Sequence, residues 1–206
     1  MTEWLSAFIA HWGVLAYAAL FLVIFVETGV VVMPFLPGDS LLFAAGALAA
    51  IGSLNVFWLF LLLAIAAIAG DTANYWIGRK IGLQRFVGKG IFFLKLHPEH
   101  VQRTEKFFER YGSKTIILAR FIPIVRTIAP FVAGLGQMDY TKFLGFNVVG
   151  GVAWVALFTL GGFYFGNLPI VRDHFELVIV LIIFISVLPP AIEFLRSKFR
   201  KQVVQP

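Results

Sequence analysis

The sequence predicts an all-α polytopic membrane protein built from two inverted repeats, each a re-entrant hairpin plus a spanning helix, with additional flanking helices. Three observations predict it. The 206-residue chain is 60% hydrophobic with a mean hydropathy of +0.89, more apolar side chain than one soluble core can cover. Its apolar runs come in two lengths: some reach the ~20 residues that a helix needs to cross a bilayer, and others fall clearly short. Nine of its 17 Lys and Arg residues lie between Arg79 and Lys114, and four more (Arg196, Lys198, Arg200 and Lys201) stand near the end. Basic residues that cluster between and after membrane segments mark cytoplasmic loops. The whole chain, 1–206, reads as a single membrane domain.

Residues Thr2–Trp12 mix Trp4, Leu5, Phe8 and Ile9 with Glu3, Ser6 and His11, the pattern of a short interfacial helix. Gly13–Met33 is apolar apart from Glu27 and Thr28 and is long enough to span, until Pro34 and Pro37 end it. It is too long for the core of a signal peptide, so no cleavage is expected. The next run, Phe35–Ala50, is short and bounded by Pro37-Gly38-Asp39 and by Gly52-Ser53, which suits a re-entrant hairpin over about 34–52. Asn55–Gly78 is a second span, interrupted by Gly70-Asp71 and leaving the membrane at Arg79-Lys80.

From about 79 to 114 the chain is basic. Val101, Thr104, Phe108 and Tyr111 recur at helical spacing, with Arg103, Lys106 and Arg110 between them, as in an amphipathic helix on an anionic cytoplasmic leaflet. Thr115–Gly136 repeats the short pattern, broken by Pro123 and Pro130, and forms the second hairpin over about 115–136. Phe143–Phe165 and Phe175–Leu195 complete the spans. A shift of 88 residues superposes Gly46 on Gly134 and Gly78 on Gly166, the mark of an internal duplication. If both short runs turn back inside the membrane, every basic cluster and both termini are cytoplasmic. The hairpins then enter from opposite faces, the arrangement of inverted-repeat transporters.

Five ionisable residues fall at membrane depth: Glu27, Asp39, Asp71, Arg120 and Arg126. Each costs about 2.5 to 3.5 kcal/mol there unless it is paired or faces water. Asp39 either caps the first hairpin arm or joins Glu27 as a proton-exchanging carboxylate pair. Arg120 and Arg126 flank Pro123, which releases carbonyls and redirects the chain. Two guanidiniums aimed into one cavity would bind a lipid phosphate bidentately, or would form salt bridges to Asp39 and Glu27. Asp71 reads as snorkelling or pairing with Arg79 or Lys80, just over two turns on along its own helix, and as an accessory residue. Gly145 and Gly150-Gly151 read as close-packing positions.

The remaining classes are poorly served. With no cysteine there is no disulfide, thiol nucleophile or thiolate metal site. His97-Pro98-Glu99-His100 lacks further ligands and reads as a solvated loop. No enzymatic triad, cofactor motif or metal cluster is expected. The net charge of +6 follows the membrane segments rather than forming a nucleic-acid face.

Glu27-Thr28-Gly29, the run Pro34 to Phe43, Gly70-Asp71 with Tyr75 to Gly78, and Ala119 to Thr127 running on to Ala133-Gly134 together resemble the DedA family, also called the SNARE-associated or VTT-domain family. The resemblance covers nearly the whole chain. It implies a multi-pass protein of the bacterial inner membrane that depends on the proton motive force and supports envelope homeostasis. It implies membrane lipids and protons as partners, with undecaprenyl phosphate or a phospholipid as cargo. It also implies Glu27, Asp39, Arg120 and Arg126 as essential residues. A homo-oligomer is compatible with all of this. The rival readings are a proton-coupled small-ion or solute antiporter, a phospholipid scramblase and a non-transporting envelope scaffold.

Overall fold

The computed structural model describes residues 2–29, 38–89, 98–169 and 171. Among these residues there are only helices and turns. α1 is Thr2–Gly29, α2 Gly38–Ala50, α3 Val56–Lys89, α4 Pro98–Tyr111, α5 Thr115–Ala119, α6 Pro123–Leu135 and α7 Tyr140–Gly166. Two stretches, Val56–Ile81 in α3 and Tyr140–Gly166 in α7, are long and apolar enough to cross a bilayer. The expected span Phe175–Leu195 lies outside the described residues, as do Pro34 and Pro37.

Several boundaries differ from the sequence expectation. The interfacial helix and the first span are one element, because nothing in Thr2–Gly29 breaks a helix before Gly29. α3 runs through Gly70-Asp71 without interruption and past Arg79 to Lys89. A mid-helix glycine costs about 1 kcal/mol, and here α1 crosses so closely that a Cβ on Gly70 would meet Thr28 Oγ1 at 1.9 Å and Phe25 O at 2.8 Å. The glycine therefore permits packing instead of ending the helix. The basic stretch 79–114 is accordingly divided between the end of α3 and the separate helix α4. Pro123 opens α6, where a missing N–H is harmless, but Pro130 lies inside α6 and does not break it. The second short element is instead broken at Arg120–Ile122, between α5 and α6.

The short helices α2 and α6 have 13 residues each. At about 1.5 Å per residue neither can cross a ~30 Å hydrocarbon core alone. Each lies against a long helix, α2 on α7 and α6 on α3. The two crossings match. A Cβ on Gly46 would lie 2.1 Å from Thr159 O, and one on Gly162 would lie 2.0 Å from Phe43 O. At the other crossing, a Cβ on Gly134 would lie 2.0 Å from Tyr75 O and one on Gly78 would lie 2.2 Å from Phe131 O. Phe43 and Gly46 correspond to Phe131 and Gly134, 88 residues on, while Tyr75 and Gly78 correspond to Thr159 and Gly162, 84 residues on. One helical turn of slip thus separates the contact pattern from the uniform 88-residue shift of the sequence.

These contacts are backbone to backbone, so no side-chain rotation can relieve an added methyl. Gly134→Ala is expected to destabilise the protein by about 1 to 3 kcal/mol. Gly145→Ala, which meets nothing within 4 Å among the described residues, should leave stability unchanged or slightly raised. Thermal unfolding in detergent compares them. Gly145 therefore packs against nothing among the described residues, whereas Gly150 and Gly151 lie against Arg120 and Ile68.

Candidate functional site

The charged residues expected at membrane depth converge where α1 ends and where α2 and α6 begin. Glu27 is in the last turn of α1, with 1% of its surface exposed. Its Oε1 accepts the backbone N–H of Gly38, the first residue of α2, at 3.2 Å. A carboxylate from a neighbouring helix thus satisfies an N–H that the start of α2 cannot pair internally. Gly38 is required for this approach: a Cβ there would stand 1.8 Å from Glu27 Oε2.

Asp39 follows in the first turn of α2, but its carboxylate does not serve as the expected cap. Its Oδ1 accepts from Arg126 Nη1 at 2.6 Å and from Trp154 Nε1 at 2.8 Å. Arg126, in the first turn of α6, spans both acids, since its Nη2 donates to Glu27 Oε1. This is a two-pronged guanidinium bridge between two carboxylates, a geometry that lysine cannot reproduce. Asp39 is the most open member, its side chain 38% exposed against 11% for Arg126.

Arg120 ends α5. Its Nη2 donates to Asp71 Oδ2 at 2.5 Å and to Asn147 Oδ1 at 2.6 Å, and both members of the ion pair are buried. Asp71 therefore pairs neither with Arg79 nor with Lys80. It faces the interior, whereas Arg79 donates to Tyr75 Oη at 2.6 Å and lies over the Trp76 ring. The two arginines thus divide the acids: Arg126 takes Glu27 and Asp39, and Arg120 takes Asp71.

Three residues without a formal charge join these pairs, and the sequence reading did not single out any of them. Trp154 places its indole ring 5.3 Å from the guanidinium carbon of Arg126 and 5.9 Å from that of Arg120. Asn147 accepts from Arg120 and donates to Ile68 O at 3.0 Å. Asn74 donates to Thr28 O at 3.3 Å and to Thr127 O at 2.8 Å, tying α1 and α6 to α3. A sequence signal did exist: tryptophan favours membrane interfaces, yet Trp154 lies near the middle of an apolar 27-residue helix.

Between the pairs is a cavity of about 10 Å³, lined by Glu27, Thr28, Asp71, Arg120, Arg126, Thr127 and Trp154. That is room for about one water and no more. Three carboxylates face two guanidiniums, which leaves one negative charge in excess when all five are ionised. Glu27 Oε2 and Arg120 Nε are buried and have no hydrogen-bond partner among the described residues.

Long apolar helices and a buried network of acids and arginines define an all-helical membrane protein. The chain belongs to the DedA family of VTT-domain membrane proteins. The VTT domain matches residues 36–164. Protein DedA of Escherichia coli strain K12 is 51% identical over 196 residues, 94% of this chain and 89% of that protein. An uncharacterized membrane protein of Mycobacterium tuberculosis is 44% identical over 177 residues, covering 85% and 77% respectively. Inner membrane protein YqjA of Escherichia coli strain K12 is 36% identical over 154 residues, covering 75% and 69%. No solved structure matches the chain.

Proposed function

We propose that this protein is a proton-motive-force-dependent translocase of an anionic lipid phosphate, with undecaprenyl phosphate as the preferred cargo, in the bacterial inner membrane. It would cross that membrane several times with both termini cytoplasmic. The elements containing α2 and α5–α6 would be re-entrant hairpins of an inverted repeat. The matched glycine crossings and the 13-residue lengths of α2 and α6 support that architecture.

The observation that carries the function is the Arg126 bridge to Glu27 and Asp39 at the starts of two short helices. Helix N-termini and a guanidinium both favour an anion. Broken helices that meet in this way form the substrate sites of inverted-repeat transporters. The cavity of about 10 Å³ is too small for a phosphate, so the described state is closed. Opening on the Asp39 side, the most exposed edge, would let a lipid phosphate replace the carboxylates on Arg126, with Arg120 on the same cavity wall as the second cation. The displaced acids would take up a proton, and Glu27 Oε2 is the atom placed to receive it. Loss of that proton to the other side would restore the bridge and expel the phosphate. The excess carboxylate of the cluster supports this exchange over a fixed scaffold, in which all charges would balance.

The experiment is reconstitution into liposomes with a fluorescent lipid phosphate and an imposed pH gradient. Inward movement should accelerate with the gradient, and Glu27→Gln should abolish that acceleration. A gradient response that survives Glu27→Gln refutes the proton role. Proton flux driven by a soluble cation, with no lipid movement, would replace the translocase with an antiporter.

A further inference from the structure

We infer that α4 carries a separate binding site for the phosphate headgroup of an anionic glycerophospholipid, outside the central cluster. Arg103, Lys106 and Arg110 are all exposed and form no ion pair among the described residues. At 3.6 residues per turn they fall within about 60° of one another around the helix. Phe107 and Tyr111 border them on one side, while Glu105 and Glu109 lie on the other. A surface depression of about 220 Å³ is lined by Arg103, Lys106, Phe107, Arg110 and Tyr111. It is a basic cup with an aromatic wall.

The opposite side of α4 fixes the orientation. Thr104 is buried, and Thr115 Oγ1 donates to Phe107 O at 2.9 Å, so α4 is tied to α5 and packs on α6. The cations therefore cannot rotate inward, and Glu99, one turn before Arg103, is the one acid of α4 in their sector, which keeps an excess of positive charge. The charge complement is an anion. The exposed Tyr111 and the half-buried Phe107 beside the cations suit an anion carried at a lipid surface, where rings enter the acyl boundary and Arg or Lys reaches the phosphate. The inference rests on the membrane reading but not on translocation.

Native mass spectrometry of the full chain in detergent, with equal amounts of phosphatidylglycerol and phosphatidylcholine, tests it. The unaltered protein should retain phosphatidylglycerol preferentially. The triple variant Arg103→Gln/Lys106→Gln/Arg110→Gln should lose about a hundredfold in that preference, at roughly fivefold per basic residue. Glu105→Gln/Glu109→Gln should keep it. All five positions are exposed, and matching melting curves would confirm that the variants fold. Equal retention by the triple variant, or no preference in the unaltered chain, overturns the inference. Displacement of the lipid by millimolar inorganic phosphate overturns the lipid as the source. Lipid-phosphate translocation, measured in parallel with Arg126 intact, fails or succeeds independently.

Discussion

Arg126→Ala is expected to lower translocation of a labelled lipid phosphate by two to three orders of magnitude. One guanidinium closes the gap between Glu27 and Asp39 and lies beside the Trp154 ring. Its removal deletes the only described cation bonded to those two acids and leaves them facing each other with no counter-charge. Truncating one partner of a buried charge pair costs about 3 to 5 kcal/mol, and each 1.4 kcal/mol is about tenfold. Arg126→Lys should recover stability better than transport, because an ammonium is a point charge and cannot fork to two carboxylates and then to a phosphate. A combined Arg126→Met/Glu27→Gln/Asp39→Asn variant separates folding from function. Its melting temperature should return toward that of the unaltered protein while translocation stays lost. Movement of labelled lipid at an unchanged rate in Arg126→Ala would remove this residue from the mechanism.

The sequence made two of the apolar spans legible, because they follow from hydropathy and length. α7 lies within a few residues of the expected Phe143–Phe165, and the second short element breaks beside Pro123 as proline chemistry requires. Pairing was far less legible. Arg79 and Lys80 are the nearest cations to Asp71 along its own helix, though both stand more than two turns on. Its partner Arg120 is 49 residues away and reaches it only because α5 and α7 pack together beside α3. Trp154 and Asn147 were hidden for a related reason. In an apolar helix an isolated indole or amide looks like packing until the charges it touches are placed. The glycines were the most informative of the neutral residues. Gly46 and Gly134 were visible as an 88-residue spacing, but the match of Gly78 with Gly162, 84 residues on, required the helices to be in position.

The buried pair behind the bridge gives the second large effect, on stability instead of transport. Asp71→Asn is expected to destabilise the protein by about 3 to 5 kcal/mol, since it leaves the Arg120 guanidinium, 4% exposed, without its carboxylate. The Asn147 amide accepts one of its N–H groups and cannot supply the missing charge. Arg120 Nε already has no hydrogen-bond partner among the described residues. The double variant Asp71→Leu/Arg120→Met should regain most of the loss, because an apolar pair of similar size removes both the charge and its desolvation cost. Arg79→Gln, which would have mattered had Asp71 paired along its own helix, should not be coupled to Asp71→Asn at all. A double-mutant cycle read by thermal unfolding in detergent measures both couplings. Strong coupling of Asp71 to Arg120 with none to Arg79 is the expected result. Additive Asp71 and Arg120 effects would contradict the pairing. The same cycle read by translocation asks a different question of Arg120. If the double variant is stable but immobile toward lipid phosphate, the cavity needs its second cation and Asp71 serves to hold that cation in place. If it is stable and active, Arg126 alone handles the phosphate and the Asp71–Arg120 pair fixes α5 and α7 around it.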